Sequence, residues 1–150
     1  MDDAWMKQLG FAESSWEHET VQDVLGRLPH RELVVARGAD AVVEAIKRMK
    51  DNGISQLPVV EDDLRVIGIV TESDLLGKVV EGQANLGSSI AEVMYRRCDT
   101  VRAEYPARKL LELFAADEVG IVVDEANRLI GVVTKMDLVD HLTHQVSAAG

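Results

Sequence analysis

The chain has 150 residues, enough for one ordinary domain or two small repeats sharing a core; 47% are hydrophobic but only 4% aromatic, so packing rests on Val, Leu, Ile, Ala and Met. A formal charge of −10 gives a surface that repels phosphate backbones, and no basic cluster offsets it, which argues against nucleic-acid binding. The single cysteine, Cys98, cannot form an internal disulfide; with an acidic start and no apolar run of membrane-spanning length, the chain reads as soluble and cytoplasmic.

Residues 1–19 read as an N-terminal helix and an acidic linker. Trp5, Met6 and Leu9 share one side of a short helix closed by Gly10. Trp5 and Trp16 either fold back as a lid or belong against another domain. Next come a short apolar lead-in, Val21 to Leu25, and a helix predicted from Ala41 to Asn52. Asp40 is its expected N-cap, Val42, Ala45, Ile46 and Met49 its buried stripe, and Gly53 its stop. Ile54 to Val60 is a strand entered through Ser55 and Gln56, and Pro58, lacking an N–H, places it at an edge or where it turns toward a ligand. An acidic turn then leads into a second strand, so the two form a hairpin. That strand ends in Gly68-Ile69-Val70-Thr71-Glu72-Ser73-Asp74 and gives way to an apolar helix carrying Leu75, Leu76, Val79 and Val80. Residues 83–89 are a Gly-containing, flexible connector, and Ser89 to Glu92 reads as a capping box.

From here the chain repeats itself. Gly131-Val132-Val133-Thr134-Lys135-Met136-Asp137 restates the earlier motif 63 residues on, followed by Leu138, Val139 and Leu142. Pro58 to Ile67 aligns without a gap on Ile121 to Ile130, Asp40 to Met49 on Tyr105 to Phe114, and Val21 to Leu25 on Ile90 to Met94. A two-residue deletion near Asp117 absorbs the change of spacing. The unit is short helix, strand, helix, strand, turn, strand, helix, and it occurs twice.

This arrangement resembles a tandem pair of cystathionine-β-synthase (CBS) domains, the Bateman module, over about Thr20 to His144. The resemblance implies an α/β fold of the α+β type: two β-α-β-β-α repeats related by a pseudo-two-fold, sheets packed together and helices outside. Repeat 1 then spans 20–82, the connector 83–89, repeat 2 90–146 and a tail 147–150. The segment DDAWMKQLGF also looks like the one joining the pyridoxal-phosphate (PLP) catalytic core to the regulatory tail of bacterial cystathionine β-synthases.

Each Thr-x-x-Asp lies at a strand-to-helix junction, where backbone N–H groups are unpaired and an anion or hydroxyl is welcome. The same spacing also makes a capping box, so capping and ligand binding are both open. A carboxylate accepts two ribose hydroxyls, the Thr hydroxyl and N–H groups suit a phosphate or sulfonium chain, and Ile54, Leu57 and Val133 offer a slot for a flat base. In CBS domains the corresponding residues bind AMP, ADP, ATP or S-adenosylmethionine. The resemblance thus assigns ribose contacts to Thr71, Asp74, Thr134 and Asp137. It also makes Ile54, Ser55, Gln56 and Leu57 the base-facing strand for Thr134 and Asp137, and 117–120, including Val119 and Gly120, that for Thr71 and Asp74. The deletion near Asp117 favours the Thr134/Asp137 cleft as the occupied one. Lys135 beside it would favour a phosphate that Glu72 would oppose, unless both point to solvent.

Asp137, His141 and His144 share a helix face at metal-ligand spacing, although a solvated terminal helix accounts for them equally. No Ser/His/Asp order, P-loop, Gly-x-Gly-x-x-Gly or Schiff-base lysine context is present, and Cys98 lacks a partner in sequence. The expectation is therefore a regulatory module with no catalytic residue, no metal and no covalent cofactor. It would sense an adenosine-containing ligand, act on a PLP-type catalytic domain in cis or on a partner enzyme, and form homodimers through its apolar helices. The alternative is a stand-alone CBS pair serving as nucleotide sensor or dimerising scaffold for another enzyme or a transporter.

Overall fold

The computed structural model describes residues 18–29, 32–116 and 119–149; the helix predicted over 2–11, both tryptophans and Asp117 lie outside them. In chain order the elements are α1 (Val21–Arg27), β1 (Ala36–Arg37), α2 (Val42–Asn52), β2 (Gln56–Val60), β3 (Val66–Thr71), α3 (Glu72–Val80) and α4 (Ile90–Val93). Then follow β4 (Thr100–Arg102), α5 (Lys109–Ala115), β5 (Gly120–Val123), β6 (Leu129–Val133) and α6 (Lys135–Ala149). The order β-α-β-β-α occurs twice, and the strands make two three-stranded sheets, β1-β2-β3 and β4-β5-β6, so the expected mixed α/β fold holds. No helix among the described residues is long and apolar enough to cross a membrane.

Two compact units divide the chain. One is Glu32–Asp99 with Val123–Leu129. There β1 runs parallel to β2, and β2 antiparallel to β3. The core gathers Val42, Ala45 and Met49 of α2, Leu57 and Val59 of β2, Val70, Leu75, and Ile90 and Val93 of α4. The predicted stripe of α2 is thus in place, Ile46 being partly buried against it, and Gly53 stops the helix in the left-handed region at φ 64°. Pro58 is not at an edge: β2 is the central strand. Its partner Ile69 turns both N–H and carbonyl to Tyr95 at 2.9 Å, so Pro58 sits at a pair that needs no donor toward β3. On the other side β1 reaches only Val59 and Val60.

The capping of α2 differs from expectation. Its N-cap is Ala41, which makes no side-chain cap; the connector covers the first turn, Ser88 O accepting from Val42 N at 2.9 Å and Leu86 O from Val43 N at 3.0 Å. The connector is itself tied, with Asn85 N on Ser88 Oγ at 3.0 Å and Gly87 N on Asn85 Oδ1 at 2.9 Å, rather than a loose linker. The Asp40 carboxylate instead accepts from Arg37 N at 2.9 Å and from the Arg48 guanidinium at 2.6 Å. Nor does Ser89 cap α4 with its side chain: Ile90 N and Ala91 N are taken by Asp40 O and Gly38 O, at 2.8 and 2.9 Å.

The other unit takes residues up to Arg31, Thr100–Val122 and Ile130 onward. Its core joins Val21 and Val24 of α1 to Val101, Ala107, Leu110, Leu113, Phe114, Val122, Val133 and Leu138. Here Val21 N and Gln22 N donate to Tyr105 O and Ala103 O, both at 2.9 Å, the counterpart of the bonds that hold α4. Each lead-in helix therefore packs in the unit built mainly by the other repeat. α1 does carry a capping box, between Thr20 and Asp23.

The two hairpin turns share one geometry. Leu64 N donates to Glu61 O at 2.8 Å and Asn127 N to Asp124 O at 3.0 Å, and both Leu64 (φ 70°) and Asn127 (φ 64°) are left-handed, as a three-residue loop with a bulge demands. They meet reciprocally: Val66 N donates to Asn127 O at 3.0 Å, and Leu129 N to Leu64 O at 2.9 Å.

Burial pushes the Asp40 carboxyl up, but the Arg37 N–H and the Arg48 guanidinium outweigh it and hold the group below its ordinary value. Its contribution to stability is then present above the unfolded-state value of about 3.9 and is lost as pH falls through the lower folded value. Asp40→Asn is expected to lower stability at pH 7 and to flatten the acid limb of stability against pH. Urea denaturation from pH 7 to 2.5 checks this; parallel curves for the two proteins would refute it.

Candidate functional site

The motif glycines explain themselves at the junctions. A Cβ on Gly68 would lie 2.5 Å from Tyr95 O, and one on Gly131 would lie 2.8 Å from Leu25 Cδ2. In each unit a lead-in segment crosses the strand at that glycine, which leaves no room for a side chain.

Past each glycine the strand ends in threonine and a helix starts. Thr71 is the N-cap of α3, its hydroxyl accepting from Asp74 N at 3.2 Å. Thr134 does the same for Asp137 N at 3.1 Å, and Asp137 Oδ2 reaches back to Thr134 N at 2.8 Å. The capping alternative is thus realised, in full at Thr134/Asp137 and in half at Thr71/Asp74. An acid in the first turn also complements the helix dipole in both cases.

Asp74 is held differently. The Tyr95 hydroxyl donates to Asp74 Oδ1 at 2.7 Å, and Lys78 Nζ lies 3.1 Å from Oδ2. Lys78 also donates to Val93 O at 2.8 Å and stands 5.2 Å from the Tyr95 ring centroid. The hydrogen bond to Asp74, aided by its charge and by burial, raises the Tyr95 phenol above its ordinary pKa. Sequence reading missed both partners; the only signal is that Tyr95 aligns with Gly26 once the lead-ins are superposed.

The remaining predicted residues sort by unit. Gln56 pairs with Thr71, Leu57 with Val70, and Ser55 O accepts from Glu72 N at 2.8 Å, so Ser55 to Leu57 lie beside the first motif, with half-buried Ile54 leading in. Val119 and Gly120 lie beside the second: a Cβ on Gly120 would stand 3.2 Å from Val133 O. Leu57 and Val133 are fully buried in their cores, so their side chains are committed to packing. Lys135 and Glu72 are exposed.

His141 is not turned to solvent. Its ring is buried, with Nε2 2.6 Å from Glu19 Oε2, and Arg27 stands 3.6 Å from the same carboxylate. One helical turn after Asp137, this pair ties α6 to the segment that enters α1. Among the described residues no group of three His, Cys, Asp or Glu could hold a metal ion; the His144 side chain is outside that set.

Two hairpin sheets, exchanged lead-in helices and a threonine-capped helix after each hairpin define a paired-repeat α/β module. The model of the CBS domain matches residues 19–81 and 90–144, and the chain belongs to that family. The rabbit (Oryctolagus cuniculus) cystathionine beta-synthase is 26% identical over 170 residues, covering 100% of this chain and 29% of its own length. The chain likewise spans 60% and 21% of two other curated relatives it matches. Among solved structures, a putative signal-transduction protein with CBS domains from Burkholderia ambifaria superposes with TM-score 0.72 and 29% identity, over 84% of this chain and 95% of that one. The CBS domain pair of protein MJ0100, solved with 5-methylthioadenosine and S-adenosyl-L-methionine, gives TM-score 0.69 and 22% identity, over 85% and 98%.

Removing either half of the Glu19–His141 pair forfeits a buried hydrogen bond, at a cost of about 1–3 kcal/mol. His141→Ala and Glu19→Ala are each expected to destabilise by that amount, and the double variant by less than the sum of the two. A double-mutant cycle by urea denaturation measures this; strict additivity would mean the contact contributes nothing.

Proposed function

We propose that this CBS pair is a regulatory module that binds an adenosine-containing metabolite, S-adenosylmethionine or one of AMP, ADP and ATP. Thr134 and Asp137 form its ribose side, at the start of the helix that follows β6. The observation that carries this reading is the Thr134/Asp137 junction: a carboxylate and a hydroxyl at the N-terminus of a 15-residue helix, directly after β6. MJ0100's two adenosyl ligands support the ligand class. The likeness to cystathionine beta-synthase supports a PLP-dependent catalytic domain, in cis or as a partner enzyme, as the thing controlled. A ligand that favours one arrangement of the repeats shifts the population toward it, and the partner reads that shift. The module itself catalyses nothing on this reading, and it works in the cytoplasm.

If Asp137 holds ribose hydroxyls, Asp137→Ala loses charge-assisted hydrogen bonds of roughly 1.5–3 kcal/mol, a ten- to hundred-fold loss of affinity. It also loses its cap, about 0.5–2 kcal/mol of stability. Asp74→Ala is expected to cost less affinity. Calorimetric titration with S-adenosylmethionine, AMP and ATP, paired with denaturation of each variant, tests both. Lowered stability with unchanged affinity at Asp137 would reduce the motif to a helix cap.

A second reading, a CBS-pair sensor or scaffold acting by dimerisation, draws on the exposed apolar side chains of α3 and α6. These are Leu76 and Val80, the latter 84% exposed, on one helix and Met136 and Val139 on the other. Leu75 and Leu138 are core residues, while Val79 and Leu142 pack partly against the cores, so the face available to a partner is narrower than the sequence implied. We expect a homodimer that Val80→Glu or Val139→Glu shifts toward monomer. Light scattering at micromolar concentration decides, and a monomeric wild type would end this reading.

A further inference from the structure

We propose that Tyr95 decides which of the two motifs takes ligand: its hydroxyl occupies Asp74 as a ribose hydroxyl would, and so closes the first motif from within. This rests on the adenosyl reading of the Thr-x-x-Asp motifs given above.

The chain contains Thr-x-x-Asp three times at a helix start, and the three can be compared atom by atom. At Thr20/Asp23 and at Thr134/Asp137 the carboxylate reaches back to the threonine N–H, at 2.9 and 2.8 Å. At Thr71/Asp74 the threonine hydroxyl still takes Asp74 N, but the carboxylate has left the cap for Tyr95 and Lys78. The departure is not imposed by the helix start, since Thr71 is extended at φ −118° and ψ 150° like Thr20 at φ −107° and ψ 167°. What differs is the lead-in segment. Tyr95 follows α4 where Gly26 stands in α1, and a Cβ built on Gly26 meets nothing within 4 Å. One motif thus has a phenol laid on its acid, and the other has at the matching position a glycine whose Cβ would meet none of the described residues within 4 Å.

The chemistry of the contact is that of the ligand it replaces. A phenol O–H on a carboxylate oxygen at 2.7 Å is the same charge-assisted bond that a sugar hydroxyl would make. Lys78 reinforces it by charge, its Nζ 3.1 Å from Asp74 Oδ2 while it donates to Val93 O and faces the ring, and Oδ2 is itself buried, so the accessible side of the acid is the one that Tyr95 holds. The raised phenol pKa agrees with a proton kept on this bond. An intramolecular hydroxyl competes at high effective concentration, so a free nucleoside must displace it. Tyr95 is 48% exposed, and its backbone N and O pair with Ile69 independently of the side chain, both at 2.9 Å. Substituting the side chain therefore leaves the strand crossing at Gly68 in place.

The test is calorimetric titration with S-adenosylmethionine, and separately with AMP, of the wild-type chain, Tyr95→Phe, Tyr95→Ala and the double variant Tyr95→Phe/Asp74→Ala. Tyr95→Phe removes the hydroxyl alone; Tyr95→Ala also clears the ring. Thermal denaturation confirms that each is folded. We expect one equivalent per chain for the wild type, two for at least one of the Tyr95 single variants, and one again for the double variant. Two equivalents in the wild type, or a single equivalent in every variant, would overturn the role given to Tyr95 and leave the adenosyl reading standing. No binding by any protein would overturn both. Binding that appears only when Tyr95 is replaced would support the closing role and move the preferred site to the first motif.

Discussion

The arrangement depends on how closely a lead-in segment passes the motif glycine. At Gly68 the Tyr95 carbonyl leaves no volume for a methyl group, while at Gly131 it is the end of the Leu25 side chain that would have to move aside. Interiors are packed to crystal density, so an added Cβ at Gly68 forces strand and lead-in apart, and one at Gly131 displaces Leu25. That approach carries α4 into the core of Val42, Leu57 and Val70, and α1 into the core of Leu110, Val122 and Val133. It fixes the carbonyls of Gly38 and Asp40, and of Ala103 and Tyr105, as caps for the incoming helices. The threonine-capped junctions begin three residues beyond each glycine, so their geometry inherits that crossing.

Exchange of the lead-ins also explains why neither repeat has a complete core of its own sequence. Val21 and Val24 are fully buried only because α5 and β5 of the second repeat surround them, and Ile90 and Val93 are buried by the first. A pair built this way is a cooperative object, in which loss of one lead-in opens the other repeat. Stacked repeats commonly bury faces that single copies cannot, and here the dependence is mutual.

Much of this was legible in the residues. The 63-residue period located both hairpins, and the aligned turns carry left-handed residues at matching places, Leu64 and Asn127. Asn at that position is readable as a turn signal; Leu is not, since it bears the left-handed conformation at a cost of about 1–2 kcal/mol and is held there by the reciprocal bonds between the two turns. The caps were illegible for a related reason. Asp40 and Ser89 stand where a local side-chain cap belongs, but distant carbonyls reached the helix N–H groups first. The two kinds of cap are not exclusive: Thr20 keeps its side-chain bond to Asp23 N although Tyr105 O and Ala103 O take the two N–H groups before it.

The same competition bears on the site. A helix cap and a ligand contact are usually weighed as rival explanations of Thr-x-x-Asp, and Thr20/Asp23 shows that the spacing can serve a cap on an otherwise ordinary short helix. Yet a carboxylate has about four acceptor positions, and a back-bond to one N–H uses one of them. Capping and the proposed binding are therefore compatible uses of one group: the cap fixes the rotamer, and a fixed rotamer lowers the entropy that a ligand would have to overcome. On that view Asp137, oriented by its own cap, is the better prepared acid. Asp74 is drawn off its cap and oriented toward Tyr95 and Lys78 instead. Two copies of one motif have thus diverged through the residue that crosses above them, while the motif letters stayed the same.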